Sequence, residues 1–226
     1  MKEDKALRRD DERTNHNGAT RILVTRHGET LWNRHGLIQG HQPVPLSDLG
    51  RLQAQALGRR LSRTLLDAVY TSDLRRAVET VELALDGRRL PVEQLANLRE
   101  CGYGEWEGLS SFVEDEGETA QSASKNRRRR VGAGSNVPHP DAAPGGETLL
   151  QVLDRLTSTI GEIAARHRGQ TVLVVSHQGP VRAWFSQLLG WDLARCWDIE
   201  IDHCGLSEVE ITPEGARLLR LEGRLV

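Results

Sequence analysis

The stretch from Arg21 to Asn33, Arg-Ile-Leu-Val-Thr-Arg-His-Gly-Glu-Thr-Leu-Trp-Asn, constrains the fold more than any other part of the chain. Ile22-Leu23-Val24 is a short apolar, β-branched-rich run, the pattern of a buried strand. The run ends in Arg26 and His27. Gly28 then lets the chain turn sharply, with its backbone open to a close-approaching ligand. A cation and an imidazole at the carboxyl end of a buried strand stand where open α/β sheets bind ligands, and the charge suits an anion, phosphate first.

Composition narrows the classes. A chain of 226 residues fits one α/β domain or two small ones and is long enough to bury a real core. A formal charge of −2 gives no global pull toward nucleic acid or a membrane surface, so neither is expected as a partner. Three cysteines, Cys101, Cys196 and Cys204, form no disulfide framework, and the odd count fits a reducing cytoplasm. Cys196, His203 and Cys204 lack the paired Cys-x-x-Cys spacing of a zinc site, so no metal is expected. No apolar run approaches the roughly 18–20 residues of a membrane span, and the charged N-terminus is no signal peptide. Residues 1–20 carry almost nothing to bury and read as a disordered tail, leaving 21–226 as a single domain.

Beyond the first strand, a polar loop through Asn33, Gln39, Gly40 and Pro45 leads to Ser47, which caps a helix with the stripe Leu49, Leu52, Ala56, Leu57, Leu61, Leu65. Ala68–Thr71 reads as a second strand. Ser72 then caps a helix with the stripe Leu74, Val78, Val81, Leu85. Arg75 falls in its first turn, where the helix dipole prefers anions; it fits there with an external anion in front of it, or as a surface partner of Glu79. A third strand candidate, Pro91–Leu95, runs into a turning loop through Gly108 that holds Glu100, Glu105 and Glu107, any one of which could donate a proton. Residues 110–146 have the composition of an inserted lid, with the basic run Lys125–Arg130 either solvated or facing a polyanion. Thr148 and Gln151 form a capping-box pattern for a helix ending near Gly169. Thr171–Val175 is the strongest strand, followed by Ser176, His177, Gln178, Gly179 and a helix entered at Pro180. Two terminal strands, Leu206–Ile211 and Ala216–Leu221, flank a turn at Pro213-Glu214-Gly215.

Two buried strands thus end alike, in Arg26-His27-Gly28 and in Ser176-His177-Gln178-Gly179. Parallel and adjacent, they would bring both imidazoles to one edge of the sheet. A phosphoryl group needs fixed cations and N–H donors, which Arg26, Arg75 and the histidines supply. A neutral imidazole is a good nucleophile near neutrality, and a nearby carboxylic acid would protonate the leaving oxygen.

The blocks Arg26-His27-Gly28-Glu29-Thr30 with Asn33, Ser72–Ala77 with Glu79-Thr80, Leu98-Arg99-Glu100 with Gly104–Gly108, Gly145–Thr148 and Ser176-His177 together resemble the histidine phosphatase superfamily, phosphoglycerate-mutase-like branch. The resemblance implies an α/β fold: a mixed, largely parallel sheet with helices on both faces and a small inserted cap, here residues 110–146. It implies His27 as the phosphorylated nucleophile, Glu100 as proton donor, and Arg26, Arg75 and His177 as grips on the phosphoryl group. Asn33 becomes a further polar contact. Gln178 stands where many relatives have glycine and bears on substrate choice. The implied activity is a metal-independent phosphomonoesterase, without cofactor, acting on small phosphorylated metabolites in the cytoplasm. A phosphoglycerate mutase is the alternative kept open by Arg127–Arg130, and a non-catalytic phospho-ligand binder is a third reading. Substrate identity and assembly, a homodimer included, stay open.

Overall fold

The computed structural model describes residues 18–110, 112–113, 129–130 and 143–225. In chain order the elements are β1 (Thr20–Arg26), α1 (Leu31–His35), α2 (Asp48–Leu61), β2 (Ala68–Thr71), α3 (Arg75–Leu85) and β3 (Val92–Gln94). Short strands β4 (Phe112–Val113) and β5 (Arg129–Arg130) pair with each other. The second half contains α4 (Leu149–Arg166), β6 (Thr171–Ser176), α5 (Gln178–Leu188), β7 (Ile199–Ile201), β8 (Leu206–Thr212), β9 (Gly215–Arg220) and β10 (Gly223–Leu225).

Six strands form one sheet in the order β3-β2-β6-β1-β8-β9. The first four are mutually parallel, and β8 and β9 continue the sheet antiparallel beyond β1. This is the mixed, largely parallel sheet expected from the sequence. Successive side chains of a strand point to opposite faces. Ile22, Val24, Val172 and Val174 accordingly pack with Leu156, Ile160 and Phe185 of α4 and α5. Leu23, Leu173 and Val175 pack with Leu57, Leu61 and Val81 of α2 and α3. Covered on both faces, β1 and β6 need apolar residues at consecutive positions, which is why both read as unbroken hydrophobic runs.

Helix α4 follows its predicted stripe and forms the capping box between Thr148 and Gln151. Helices α2 and α3 follow theirs only in part: Leu57 and Leu61 of the one and Leu74, Val81 and Leu85 of the other are buried as expected. In α2 the buried face is Gly50, Ala54, Leu57 and Leu61, and Leu49 and Leu52 lie exposed. The reason is a backbone contact: a methyl group on Gly50 would collide with the Glu29 carbonyl, and one on Gly28 with the Gly50 carbonyl. What approaches Gly28 closely is therefore a helix, where the sequence suggested a ligand. In α3 the residue at the N-cap position is Leu74, and Ser72 lies two residues upstream, its Oγ accepting from Leu74 N at 3.2 Å. The face turned inward is Arg76, Ala77, Thr80, Val81, Ala84 and Leu85.

The body also begins earlier than expected. Thr20 is buried within β1, and its hydroxyl lies 2.8 Å from Ala164 O and 3.0 Å from His167 O, so the proposed tail cannot extend to residue 20. The rest of that tail, residues 1–17, and most of the proposed cap lie outside the described residues. The small antiparallel pair β7–β10 and helix α1 had no sequence signal strong enough to separate them from loop. Among the described residues, no helix is long and apolar enough to cross a membrane.

The glycine contacts give a paired stability test. Gly50→Ala should destabilise by about 1–3 kcal/mol through backbone overpacking. Gly161→Ala, on the exposed side of α4 with open space around it, should stabilise by about 0.5–1 kcal/mol. Urea denaturation midpoints of the two variants and the parent chain check both signs.

Candidate active site

Strands β1 and β6 pair in register, Arg26 opposite Ser176, and His27 N donates to Ser176 O at 3.1 Å. The pairing ends with the two histidines side by side: the rings of His27 and His177 are centred 5.0 Å apart, and both are buried. His27 Nδ1 lies 2.7 Å from Gly28 O. A carbonyl only accepts, so Nδ1 carries the hydrogen and Nε2 is left with its lone pair. Arg76 Nε donates to that Nε2 at 3.2 Å. Burial, followed by the positive charges of Arg76, His177 and Arg26, holds the His27 pKa well below the usual imidazole value. His177 is lowered in the same direction, by burial first and then by Arg76 and Arg26. Neither ring nitrogen of His177 has a hydrogen-bond partner among the described residues. Two orphaned nitrogens in so buried a ring mark a place where an external group completes the bonding.

Arg76 is fully buried and braced by carbonyls, Nη1 to Gln42 O at 3.1 Å and Nη2 to Gly40 O at 2.8 Å. Burial brings its pKa down to about 10, with Glu100 and Glu107 acting to raise it, so the guanidinium stays charged at neutral pH. Arg26 is buried beside it, Nη1 donating to Ile201 O at 3.2 Å. Glu100 receives Cys101 N at 2.8 Å and Gly179 N at 3.1 Å on one carboxylate oxygen. The latter contact seats the carboxylate on the first turn of α5, and it requires glycine at 179, since a Cβ there would run into Glu100 Oε1.

These groups border a cavity of about 340 Å³. Its wall includes Arg26, His27, Asn33, Arg76, Glu100 and Gln178, together with Arg182, Trp197 and His203. Of the residues named from sequence, Arg26, His27, Asn33, Glu100 and Gln178 therefore meet here, with His177 packed against His27. Arg75 does not. It is exposed at the start of α3, and the arginine at the cavity is its neighbour Arg76. Adjacent helical positions differ by about 100° in direction, so only one of the pair can face inward. The inward face carries the small residues Ala77, Thr80 and Ala84 beside the expected Val81 and Leu85, whereas Val78 of the expected stripe is only half-buried. Glu79 is not a partner of Arg75 either; it pairs with Arg51 and accepts from Leu46 N at 2.9 Å.

Glu107, another of the three loop acids, has a structural role. It takes His41 N, Gln42 Nε2 and Tyr103 N, fastening the loop whose carbonyls hold Arg76. Arg182 had a usable signal, a lone cation inside the apolar run Val181–Phe185 and one turn beyond Gln178; its guanidinium lies 5.7 Å from the Trp197 ring centre. His203 had none. It reaches the site through tertiary structure, its Nδ1 donating to His27 O at 2.9 Å.

Known proteins resemble this chain in sequence and in fold. The profile of the histidine phosphatase superfamily (branch 1) matches residues 22–223. Phosphoserine phosphatase 1 of Hydrogenobacter thermophilus is 33% identical over 201 residues, 89% of this chain and 91% of that protein. Phosphoglycerate mutase-like protein 4 of Arabidopsis thaliana is 39% identical over 169 residues, 74% of this chain and 70% of that protein. Among solved structures, Bacillus stearothermophilus YhfR superposes with a TM-score of 0.75 at 31% identity, covering 92% of this chain and 98% of that one.

The depressed histidines carry a pH signature. Below about pH 6.5 the unfolded chain protonates both imidazoles, and the folded chain, whose pKa values lie lower, does not. The unfolded state then binds more protons, so stability is full above that pH and falls as the pH drops toward the folded values. Each histidine should contribute a slope of up to about 1.4 kcal/mol per pH unit in that window. Denaturation free energies between pH 7.5 and 5 should show the loss, and His177→Gln should remove about one proton's share of the slope.

Proposed function

The chain belongs to branch 1 of the histidine phosphatase superfamily, and from that premise we propose that it is a metal-independent phosphomonoesterase that hydrolyses small phosphorylated metabolites through a phosphohistidine. Its relatives' phosphatase names support the hydrolase class. The observation that carries the mechanism is the state of His27: buried, neutral, with Nδ1–H committed to Gly28 O and the Nε2 lone pair facing a fixed cation.

In the proposed first step a phosphate monoester enters the cavity and takes over the N–H donors of Arg76 and Arg26. The His27 Nε2 lone pair forms the N–P bond, the P–O bond to the alcohol breaks, and its electrons go to the leaving oxygen. The Glu100 carboxyl supplies the proton that releases a neutral alcohol, an effect typically worth about 10²–10⁴ in rate. In the second step water attacks the phosphoryl group and gives a proton to the Glu100 carboxylate. The N–P electrons return to His27 and inorganic phosphate departs. His177, with two nitrogens left open beside His27, donates to the phosphoryl oxygens. The cations that bind the developing charge come from arginine side chains held by backbone carbonyls, so they need no reorganisation during the reaction.

The test is phosphate release in the presence of EDTA from a panel of monoesters that includes phosphoserine, the substrate in the name of one relative. His27→Ala should abolish turnover without loss of folding, and acid-sensitive labelled phosphate should be trapped on the parent chain and absent from the variant. Arg76→Ala should lower kcat/KM by about 10²–10³, and Arg75→Ala, at the exposed neighbouring position, should stay within about twofold. Isomerised phosphoglycerate with little free phosphate would reject hydrolysis in favour of mutase chemistry.

A further inference from the structure

The loop that presents Glu100 is held from behind by a side chain outside the cavity wall. Arg155, in the second turn of α4, directs its guanidinium at three carbonyls of that loop: Nη1 lies 2.8 Å from both Asn97 O and Arg99 O, and Nη2 lies 2.8 Å from Glu100 O. Its remaining donors go to Glu147, Nε to Oε1 at 2.8 Å and Nη2 to Oε2 at 3.0 Å. Glu147 in turn accepts Gly102 N at 2.8 Å, and its own N–H donates to Gly102 O at 2.8 Å. Burial acts to raise the Glu147 carboxyl, and hydrogen bonds from Arg155 and Gly102 outweigh it, keeping the group below the ordinary carboxylate range and charged. His41 adds a further hydrogen bond to Glu100 O, from Nε2 at 2.9 Å.

We propose that Arg155, braced by Glu147, is the positioning residue for the proton donor Glu100. The inference rests on the reading of Glu100 as the acid of the phosphatase. The backbone of residues 97–102 is locked at one end by the Arg155–Glu147 clamp, and the Glu100 carboxylate is locked at the other by Gly179 N. Between those two anchors the side chain has little freedom to swing away from the leaving oxygen. A planar guanidinium spanning three carbonyls and a carboxylate does what a lysine ammonium, a point donor, cannot. Because an acid acts only within hydrogen-bond reach of the proton's destination, a shift of about 1 Å in this loop should cost up to about 10²-fold in the step it serves.

Leaving-group dependence separates this role from general support of the fold. p-Nitrophenol departs readily as its anion, whereas an alkyl alcohol needs the proton. The measured quantity is the ratio of kcat/KM for glycerol 2-phosphate to kcat/KM for p-nitrophenyl phosphate, with each variant first checked for folding by circular dichroism. Glu100→Gln should lower the ratio by about 10² or more. Arg155→Met should lower it by about tenfold to a hundredfold, with Arg155→Lys and Glu147→Gln between that value and the parent. Methylguanidinium added to Arg155→Ala should restore part of the ratio. An unchanged ratio in the Arg155 variants, with the Glu100→Gln ratio reduced, overturns the positioning role alone. A ratio unmoved in Glu100→Gln overturns the acid assignment and the positioning role with it. Loss of folding in all three Arg155 variants also overturns it, leaving Arg155 a scaffold residue.

Discussion

The site depends on one pairing, that of β1 with β6, in parallel and in register. Because Arg26 stands opposite Ser176 and His27 N bonds to Ser176 O, the next residue on each strand is a histidine leaving the same edge. No side-chain interaction performs this alignment. It comes from the backbone ladder, and the ladder's register is enforced by burial on both faces, where a slip of one residue would turn every apolar side chain of a strand to the wrong layer. The juxtaposition of the two imidazoles is thus a consequence of how the core packs.

Around that pairing the charged groups are held by main-chain atoms to an unusual degree. Arg76 is braced by Gly40 O and Gln42 O, Arg26 by Ile201 O, and the loop of Glu100 by the reach of Arg155. The carboxylates of Glu107 and Glu147 serve as the complementary fasteners, taking backbone N–H groups of the loops that the arginines hold by their carbonyls. A buried guanidinium without such partners would pay its full desolvation cost. With them, the cation is retained at the cavity wall. The alternation of loop, arginine and carboxylate explains why polar residues cluster in Leu98–Gly108 and Gly145–Thr148, segments with little regular structure of their own.

Much of this was legible in the chain. The two strand ends, the capping box at Thr148 and the helices α4 and α5 were carried by local patterns strong enough to survive folding. Errors arose where size misled. Leucines and valines in α2 and α3 drew the inward face toward Leu49, Leu52 and Val78; Leu57, Leu61, Val81 and Leu85 are inward as expected, but close backbone approach puts glycine, alanine and threonine beside them. The same error displaced the cavity-facing arginine by one position, to Arg75 from Arg76. His203 and the strand β7 before it were invisible for a different reason: β7 is held by β10 at the far end of the chain and His203 by its bridge to Arg26, long-range pairings that no local spacing encodes.

That last feature divides the cavity walls between two sheets. Arg26, His27 and Arg76 come from the central sheet and α3, whereas Glu200 and Ile201 belong to β7, in the small separate pair that β10 closes, with Trp197 and Asp202 in the segments on either side of β7. Where the two meet at Arg26, the bond is to the carbonyl of Ile201, which every residue type possesses. That anchor does not depend on the identity of the side chain at 201, so an exchange there that still fills the core position occupied by the buried Ile201 would leave the hold on Arg26 in place.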